Sequence, residues 1–240
     1  MKRLGTLRIA CYPALAILSI VFGAGLLEAE EVPSHTVIMA LGDSITAGAP
    51  AFRSPAEFPP DGHGNPQSQY GYWIEKKHPE WKLINRGISG QTSAQILARL
   101  NQELETFKPE KVILMAGVND IFQGYPAEVT IQNLQSLYDE LSRRGIPVMT
   151  LTILPYRGLT PEKFARLQKI NQWIKSDAAQ KELGFCDTFA VMHAPGNPKE
   201  LLGTPDGLHP DAASYQIMGV AITAALEQWP PLSAPAKKTS

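Results

Sequence analysis

Residues 36–46 read Thr-Val-Ile-Met-Ala-Leu-Gly-Asp-Ser-Ile-Thr. The first six form a short apolar run that ends at a glycine, and a run of that length favours a strand buried on both faces. Further short apolar runs along the chain predict four more strands. They lie at 82–85, 111–116, 147–154 and 185–189.

Helical patterns separate these runs, because apolar residues recur there at spacings of three and four. Four stripes carry this pattern: Leu97 to Phe107, Leu134 to Leu141, Phe164 to Ile174 and Met218 to Ala225. Alternation of strands and helices implies a parallel sheet with helices on both faces. The sequence therefore predicts an α/β fold: a three-layer α/β/α sandwich with a flavodoxin-like parallel sheet of about five strands.

Composition narrows the possible functions. The chain has 240 residues, of which 44% are hydrophobic and 19% are charged, as in an ordinary globular protein with one sizeable domain. The formal net charge is -1, so no basic excess exists to neutralise a nucleic-acid backbone. The two cysteines allow at most one disulfide, and no Cys-x-x-Cys pair is present to hold zinc.

The amino-terminal segment has the pattern of an export signal. Lys2, Arg3 and Arg8 precede an uncharged, mostly apolar run at 9–27, and small residues follow. This order predicts a signal peptide that is cleaved after Ala29. The apolar run is also just long enough to span a bilayer, so an uncleaved membrane anchor is the alternative.

The sequence as a whole divides into three segments. We expect residues 1–29 to be the signal peptide, 30–229 to be one folded domain and 230–240, with three prolines and two lysines, to be a flexible tail. Cleavage would leave Cys186 as the one cysteine, in an apolar context typical of a buried core residue rather than a reactive thiol.

Polar clusters follow three of the predicted strands, and a fourth lies in the last loop. They occupy residues 42–46, 85–92, 117–120 and 206–210. In open α/β sheets, ligands bind beyond the carboxyl ends of the strands. Each cluster alone also has an ordinary structural explanation, as a helix cap, a plain turn, an Asx turn or a surface histidine.

Taken together, the clusters supply the groups that acyl transfer needs. Ser44 lies at a strand-to-helix turn, where a hydroxyl is presented beside the N–H groups of a helix start. The second cluster contains glycines, which leave a backbone N–H unobstructed, and the Asn119 amide is a further donor. Asp206 lies three residues before His209 and can orient its imidazole.

These four blocks resemble the SGNH (GDSL) hydrolase superfamily over about residues 37–225. The resemblance implies that Ser44 is the nucleophile, His209 the general base and Asp206 the residue that orients the imidazole. It also implies an oxyanion hole formed by the backbone N–H of Ser44, the backbone N–H of Gly90 and the side-chain amide of Asn119.

The resemblance further implies ester hydrolysis through an acyl-enzyme, with no metal and no organic cofactor. Ile45 stands where the family often has leucine, a change of shape that leaves the chemistry untouched. The Gly-x-Ser-x-Gly elbow of the α/β-hydrolases is absent from the sequence, which argues against that fold.

The other histidines have plainer interpretations. His35 and His78 are isolated near predicted element ends and are expected to be solvated, and His63 lies in a Gly-rich loop. His193 is close in sequence to the last block, so it is the reserve candidate for the base.

The substrate follows less directly from the sequence. Residues 50–69, rich in Pro and Gly, predict a surface loop beside the site, with Phe52 and Phe58 as an apolar or sugar-stacking wall. Export favours an extracytoplasmic substrate such as a polysaccharide ester or a lipid. The expected partner is a small-molecule, polysaccharide or lipid ester, and within this group we expect a short-chain acyl or carbohydrate O-acetyl ester. The alternatives are lysophospholipid or acyl-thioester hydrolysis and, in another class, a non-catalytic binding module on the same fold. No nucleic-acid partner is expected, and a membrane partner only if the amino-terminal segment stays uncleaved.

Overall fold

The computed structural model describes residues 35–229. The strands in chain order are β1 (Thr36–Gly42), β2 (Phe52–Arg53), β3 (His63–Gly64), β4 (Trp81–Gly87), β5 (Lys111–Met115), β6 (Val148–Leu151), β7 (Gly184–Cys186), β8 (His193–Ala194) and β9 (Asn197–Leu201). The helices are α1 (Ser44–Ala47), α2 (Tyr70–Lys77), α3 (Ser93–Phe107), α4 (Val118–Gln123), α5 (Ala127–Arg143), α6 (Pro161–Gln180), α7 (Thr188–Met192) and α8 (Ala212–Gln228).

The central sheet has five parallel strands in the order β4-β1-β5-β6-β7. The chain moves outward from β1 first to β4 and then, on the other side, to β5. This reversal creates a crevice at the carboxyl ends of β1 and β5, where ligands bind in such sheets. Helices flank the sheet, with α2 packed on α8, α3 on α5 and α5 on α6. The predicted three-layer α/β/α fold is confirmed.

The strands are buried as their apolar runs predicted. In β1, Ile38, Met39, Ala40 and Leu41 are each at most 1% exposed. The four helical stripes lie on α3, α5, α6 and α8 and contribute to the same core, for example through Leu100, Leu134, Ile170 and Met218. A central sheet that is apolar on both faces needs helices on each side, which is the arrangement observed.

Two strand predictions extended too far. Residues 152–154 lie outside β6, because the Ile153 N–H and C=O pair with the side-chain amide of Asn171 rather than with a strand. The run at 185–189 ends as a strand at Cys186, since the Asp187 carboxylate accepts the N–H of Ala190 and starts α7.

Cys186 is a core residue, as its apolar context predicted. The side chain is buried, with 6% exposure. Burial, together with the charge of Asp187, raises the pKa of its thiol to about 12. A thiol of this kind is protonated at neutral pH and unreactive as a nucleophile.

The loop at 50–69 is more ordered than its composition predicted. It contains the antiparallel pair β2–β3 and a 3₁₀ turn at Pro66–Ser68. Phe52 is buried inside the loop, so the expectation that its ring forms a substrate wall is wrong, whereas Phe58 is exposed. Ser54 donates a hydrogen bond to the carbonyl of Gly87 at 2.5 Å, which fastens the loop to the end of β4.

The first and the last described residues lie close together, at the end of the sheet where the parallel strands begin. One shallow depression there is lined by Thr36, Trp81 and Trp229, and Ser44 lies at the opposite end of the strands. Between residues 35 and 229, no helix combines the length and apolar character needed to cross a bilayer. The expected signal peptide or anchor (1–29) and the expected tail (230–240) lie outside the described residues.

Candidate active site

Ser44 lies where β1 turns into α1. The Asp43 carboxylate accepts the N–H of Ile45 at 3.0 Å and thereby caps the helix. A Cβ on Gly42 would lie 2.6 Å from the carbonyl oxygen of Met115, so only glycine allows β1 and β5 to approach this closely. α1 has only four residues, which is too short for a helix macrodipole to act on Ser44.

The side chains of Ser44, His209 and Asp206 form one hydrogen-bonded chain. The Nε2 of His209 lies 2.9 Å from the Oγ of Ser44, and its Nδ1 lies 2.7 Å from Oδ2 of Asp206. The Ser44 residue is 5% exposed and the His209 side chain 14% exposed, whereas the Asp206 side chain is 38% exposed and lies nearer the surface. This is the order of a nucleophile, a base and a carboxylate that orients the base.

Backbone hydrogen bonds fix the carboxylate of Asp206. Its Oδ1 accepts the N–H groups of Leu208 at 2.9 Å and of His209 at 2.8 Å, which leaves Oδ2 directed at the imidazole. Partial burial acts to raise the pKa of Asp206, but the hydrogen bonds from His209 and Leu208 outweigh it and hold that pKa at about 2. The group is therefore a carboxylate at neutral pH.

Gly90 lies in the loop after β4, next to the turn that carries Ser44. The Ile88 N–H donates to the carbonyl of Gly42 at 3.1 Å, which joins the two loops. Gly90 has a φ of 78°, a backbone conformation that favours glycine. Within the described chain, the backbone N–H groups of Ser44 and Gly90 have no hydrogen-bond acceptor.

Asn119 comes from the end of β5 and faces the same loop. One N–H of its side-chain amide donates to the carbonyl of Gln91 at 2.9 Å, and the second N–H is unused by the described residues. The next residue, Asp120, is buried and accepts both the N–H (2.8 Å) and the Oγ–H (2.5 Å) of Ser93. These bonds place Asn119 beside Gly90 at the carboxyl edge of the sheet.

Two other histidines lie away from this group. The ring of His193, the reserve candidate for the base, has its Nδ1 3.1 Å from the carbonyl of Ala194 and makes no bond to Ser44. The expectation that His78 is simply solvated is wrong, because its ring nitrogens lie 2.7 Å from Glu80 and 2.7 Å from Glu227.

Asp43, adjacent to the serine, is a second carboxyl group in an unusual environment. It is buried, and its Oδ2 has no hydrogen-bond partner in the described part of the molecule. Burial raises the pKa of Asp43 to about 7, helped by the charge of Asp120 and opposed by the Ile45 N–H and the Arg99 charge.

The sequence reasoning missed residues that follow β6 and one residue on α4 at this edge. The backbone N–H of Arg157 donates to the carbonyl of Gly207 at 2.7 Å, next to Asp206. Phe122 is 58% exposed, and its ring centroid lies 5.9 Å from that of Tyr156. The rule that ligands bind beyond the carboxyl ends of strands, applied to β6, would have found Tyr156 and Arg157.

Comparison with known proteins identifies the family. The model of the GDSL-like lipase/acylhydrolase family matches residues 40–217. The chain belongs to this family. Membership confirms the resemblance seen in the sequence and the assignment of the protein to the carboxylic ester hydrolases. It thereby disfavours the non-catalytic binding module.

Individual proteins match most of this GDSL-family protein. It is 28% identical to an arylesterase of Vibrio mimicus over 178 residues, covering 72% of this chain and 79% of that one. It is 25% identical to an acetylxylan esterase of Geobacillus stearothermophilus, covering 80% and 94%. A solved GDSL-like lipase from Bacteroides thetaiotaomicron superposes with a TM-score of 0.65 at 26% identity, covering 80% and 88%.

Proposed function

We propose that this protein is an exported serine esterase that hydrolyses carboxylic esters through an acyl-enzyme. The observation that carries the proposal is the unbroken chain of hydrogen bonds from Asp206 through His209 to Ser44. Ester hydrolysis through a serine acyl-enzyme uses a hydroxyl with a base within hydrogen-bond reach and a group that orients that base.

In the first half of the reaction, the Ser44 oxygen attacks the ester carbonyl carbon. Nε2 of His209 takes the hydroxyl proton as the new C–O bond forms, and Asp206 stabilises the resulting imidazolium. The tetrahedral intermediate then collapses, the bond to the alcohol breaks, and His209 returns the proton to the departing alcohol oxygen. The product is an acyl group esterified to Ser44.

In the second half, a water molecule replaces the alcohol. His209 removes a proton from the water, whose oxygen attacks the acyl carbon, and the second tetrahedral intermediate forms. Collapse of this intermediate breaks the bond to Ser44, whose oxygen regains the proton from His209. The carboxylic acid leaves and the free enzyme is restored.

Each tetrahedral intermediate carries negative charge on the former carbonyl oxygen. The unused N–H groups of Ser44 and Gly90 and the second amide N–H of Asn119 are the donors proposed for this charge. Donors that are already fixed in place stabilise the transition state without reorganising during the reaction.

We propose short-chain acyl esters, including O-acetyl esters of carbohydrates, as the substrates. Support comes from the arylesterase and acetylxylan esterase relatives, which are matched over most of their length. Rates on p-nitrophenyl acetate, butyrate and octanoate, and release of acetate from an acetylated xylan, test this preference. A steep preference for octanoate would instead favour lysophospholipid or acyl-thioester hydrolysis.

We also propose that the protein is exported. The support is the basic start followed by the apolar run at 9–27. Cell fractionation with amino-terminal sequencing of the mature protein tests the proposal, and a sequence beginning near residue 30 is expected. An intact amino terminus in the membrane fraction would favour the anchor.

Labelling with a fluorophosphonate tests the nucleophile itself, because only an activated serine reacts. The wild-type protein is expected to acquire one label, on the peptide that contains Ser44, and Ser44→Ala to acquire none. Ser136→Ala is the matched control, since Ser136 is exposed on α5 and, among residues 35–229, its hydroxyl bonds only the carbonyl of Gln132. Labelling of Ser44→Ala at the wild-type rate would overturn the proposal.

A further inference from the structure

Arg99 connects the loops that carry the proposed oxyanion hole. It lies on α3, and its side chain is 13% exposed. Its Nη2 donates to the carbonyl of Gly42 at 2.9 Å, at the end of β1, and to the carbonyl of Arg86 at 2.8 Å, near the end of β4. One guanidinium nitrogen therefore fixes the spacing of the two neighbouring strand ends beside Ser44.

The same guanidinium also holds the loop that contains Gly90. Its Nε donates to the side-chain oxygen of Gln91 at 2.7 Å, and the backbone carbonyl of Gln91 accepts the amide N–H of Asn119 at 2.9 Å. Gln91 thus joins Arg99 to Asn119. Gly90 and Asn119 are therefore each connected to this side chain through Gln91, and Ser44 is connected to it through Gly42 and Asp43.

A buried carboxylate fixes the guanidinium in turn. Oε1 of Glu103 accepts a hydrogen bond from Nη1 of Arg99 at 2.9 Å, and Glu103 is 6% exposed. Glu103 also binds Arg86, at 2.6 and 2.9 Å, and the Arg86 guanidinium lies 4.7 Å from the ring centroid of Phe107. The side chain of Arg86 contacts none of the proposed donors, which makes it a natural comparison.

We propose that Arg99 is a positioning residue for the oxyanion hole: its planar guanidinium sets the relative placement of the Ser44, Gly90 and Asn119 donors. The inference rests on the esterase function proposed above. Displacements of about 1 Å are enough to lower catalysis strongly. Lysine cannot replace the fork of N–H donors, because its ammonium group is a compact point charge.

The decisive comparison is Arg99→Lys with Arg86→Lys. Both changes remove an arginine from the same Glu103 and keep the positive charge. We expect Arg99→Lys to lower kcat on p-nitrophenyl acetate about 10- to 100-fold with KM within about 3-fold of wild type. We expect Arg86→Lys to keep kcat within about 2-fold, since its side chain reaches none of the donors.

A transition-state mimic separates positioning from general destabilisation. A trifluoromethyl ketone forms a tetrahedral adduct with an activated serine and places an oxyanion in the hole. Its affinity is expected to fall in Arg99→Lys by about the same factor as kcat/KM and to stay unchanged in Arg86→Lys. Thermal unfolding of both variants shows how much stability each has lost.

Gln91→Ala provides a second, milder variant that keeps the backbone carbonyl bound by Asn119. We expect it to lower kcat about 3- to 10-fold with KM unchanged. Wild-type kcat in Gln91→Ala, or equal losses in Arg99→Lys and Arg86→Lys, would overturn the positioning role while Ser44→Ala stays inactive. Full activity of Ser44→Ala would overturn the esterase function and this inference with it.

Discussion

The Oγ of Ser44 and the Nε2 of His209 lie 2.9 Å apart although the two residues are 165 positions apart in the sequence. The two side chains are brought together because β1 and the loop before α8 both end at the carboxyl edge of the sheet. Their contact connects the first and the last of the four polar clusters.

His209→Asn is expected to reduce ester hydrolysis to near the background rate, because Ser44 would lose its base. Nucleophile and base act as a unit, so adding Ser44→Ala should cost little more. Initial rates on p-nitrophenyl acetate measure both effects. His63→Asn is the control, since His63 is exposed in the 50–69 loop. A wild-type rate in His209→Asn would exclude this residue as the base.

Asn119→Ala is expected to lower kcat about 10²- to 10³-fold and to change KM much less, because the lost amide acts mainly on the oxyanion. Measurable activity should remain, since two backbone donors are left. Asn101→Ala, on the exposed side of α3, should leave both constants unchanged. An unchanged kcat in Asn119→Ala would remove this side chain from the hole.

Asp43 is expected to make the folded state less stable as the pH rises from about 4 to about 7. Burial raises the pKa of its carboxyl in the folded protein from 3.8 to about 7, so between those values the folded state binds more protons than the unfolded state. The slope from one such group is about 1.4 kcal/mol per pH unit. Urea unfolding at several pH values should show a flatter profile for Asp43→Asn, and an equal slope would contradict the buried-acid interpretation.

His78 is expected to stabilise the folded state while its ring is charged and to lose this effect at higher pH. Burial opposes the charged ring, but the contacts with Glu227 and Glu80 outweigh it and raise the pKa of His78. The folded state therefore gains stability at pH values below the ordinary histidine pKa, and loses it as the pH rises through the raised pKa.

His78→Asn tests this pair of ion contacts. The difference in free energy of unfolding between wild type and variant should be larger at pH 6 than at pH 9. Glu227→Gln removes one of the two partners and should give a smaller difference with the same pH trend. A difference that is constant with pH would indicate that packing on Trp81, rather than charge, carries the effect.

The sequence predicted the parts of the fold that depend on local pattern. The apolar run at 36–41 and the stripes on α3 and α5 were sufficient to predict the strand and the two helices, because periodicity shows which residues are buried on a sheet or a helix face. Features that depend on distant partners were missed. The side-chain amide of Asn171 forms the hydrogen bonds to the Ile153 backbone that a neighbouring strand would otherwise form, and no local sequence pattern predicts such a contact.

The residues of the candidate site likewise divide into those that local motifs predict and those that depend on distant partners. Ser44, Asn119, Asp206 and His209 lie in short motifs, so their residue types and spacing could be read directly. Arg99 could not be found in this way, because two of its partners are backbone carbonyls and every residue type has one. Its role is visible only once the ends of β1 and β4 lie side by side.

The depression lined by Thr36 and Trp229 brings both ends of the described chain to the edge of the sheet opposite the serine. A linker, a tag or a solid support joined to the chain at either of these ends would therefore attach to the molecule opposite Ser44 and leave the crevice accessible. Substrate should therefore reach Ser44 as readily in the tethered protein as in the free protein.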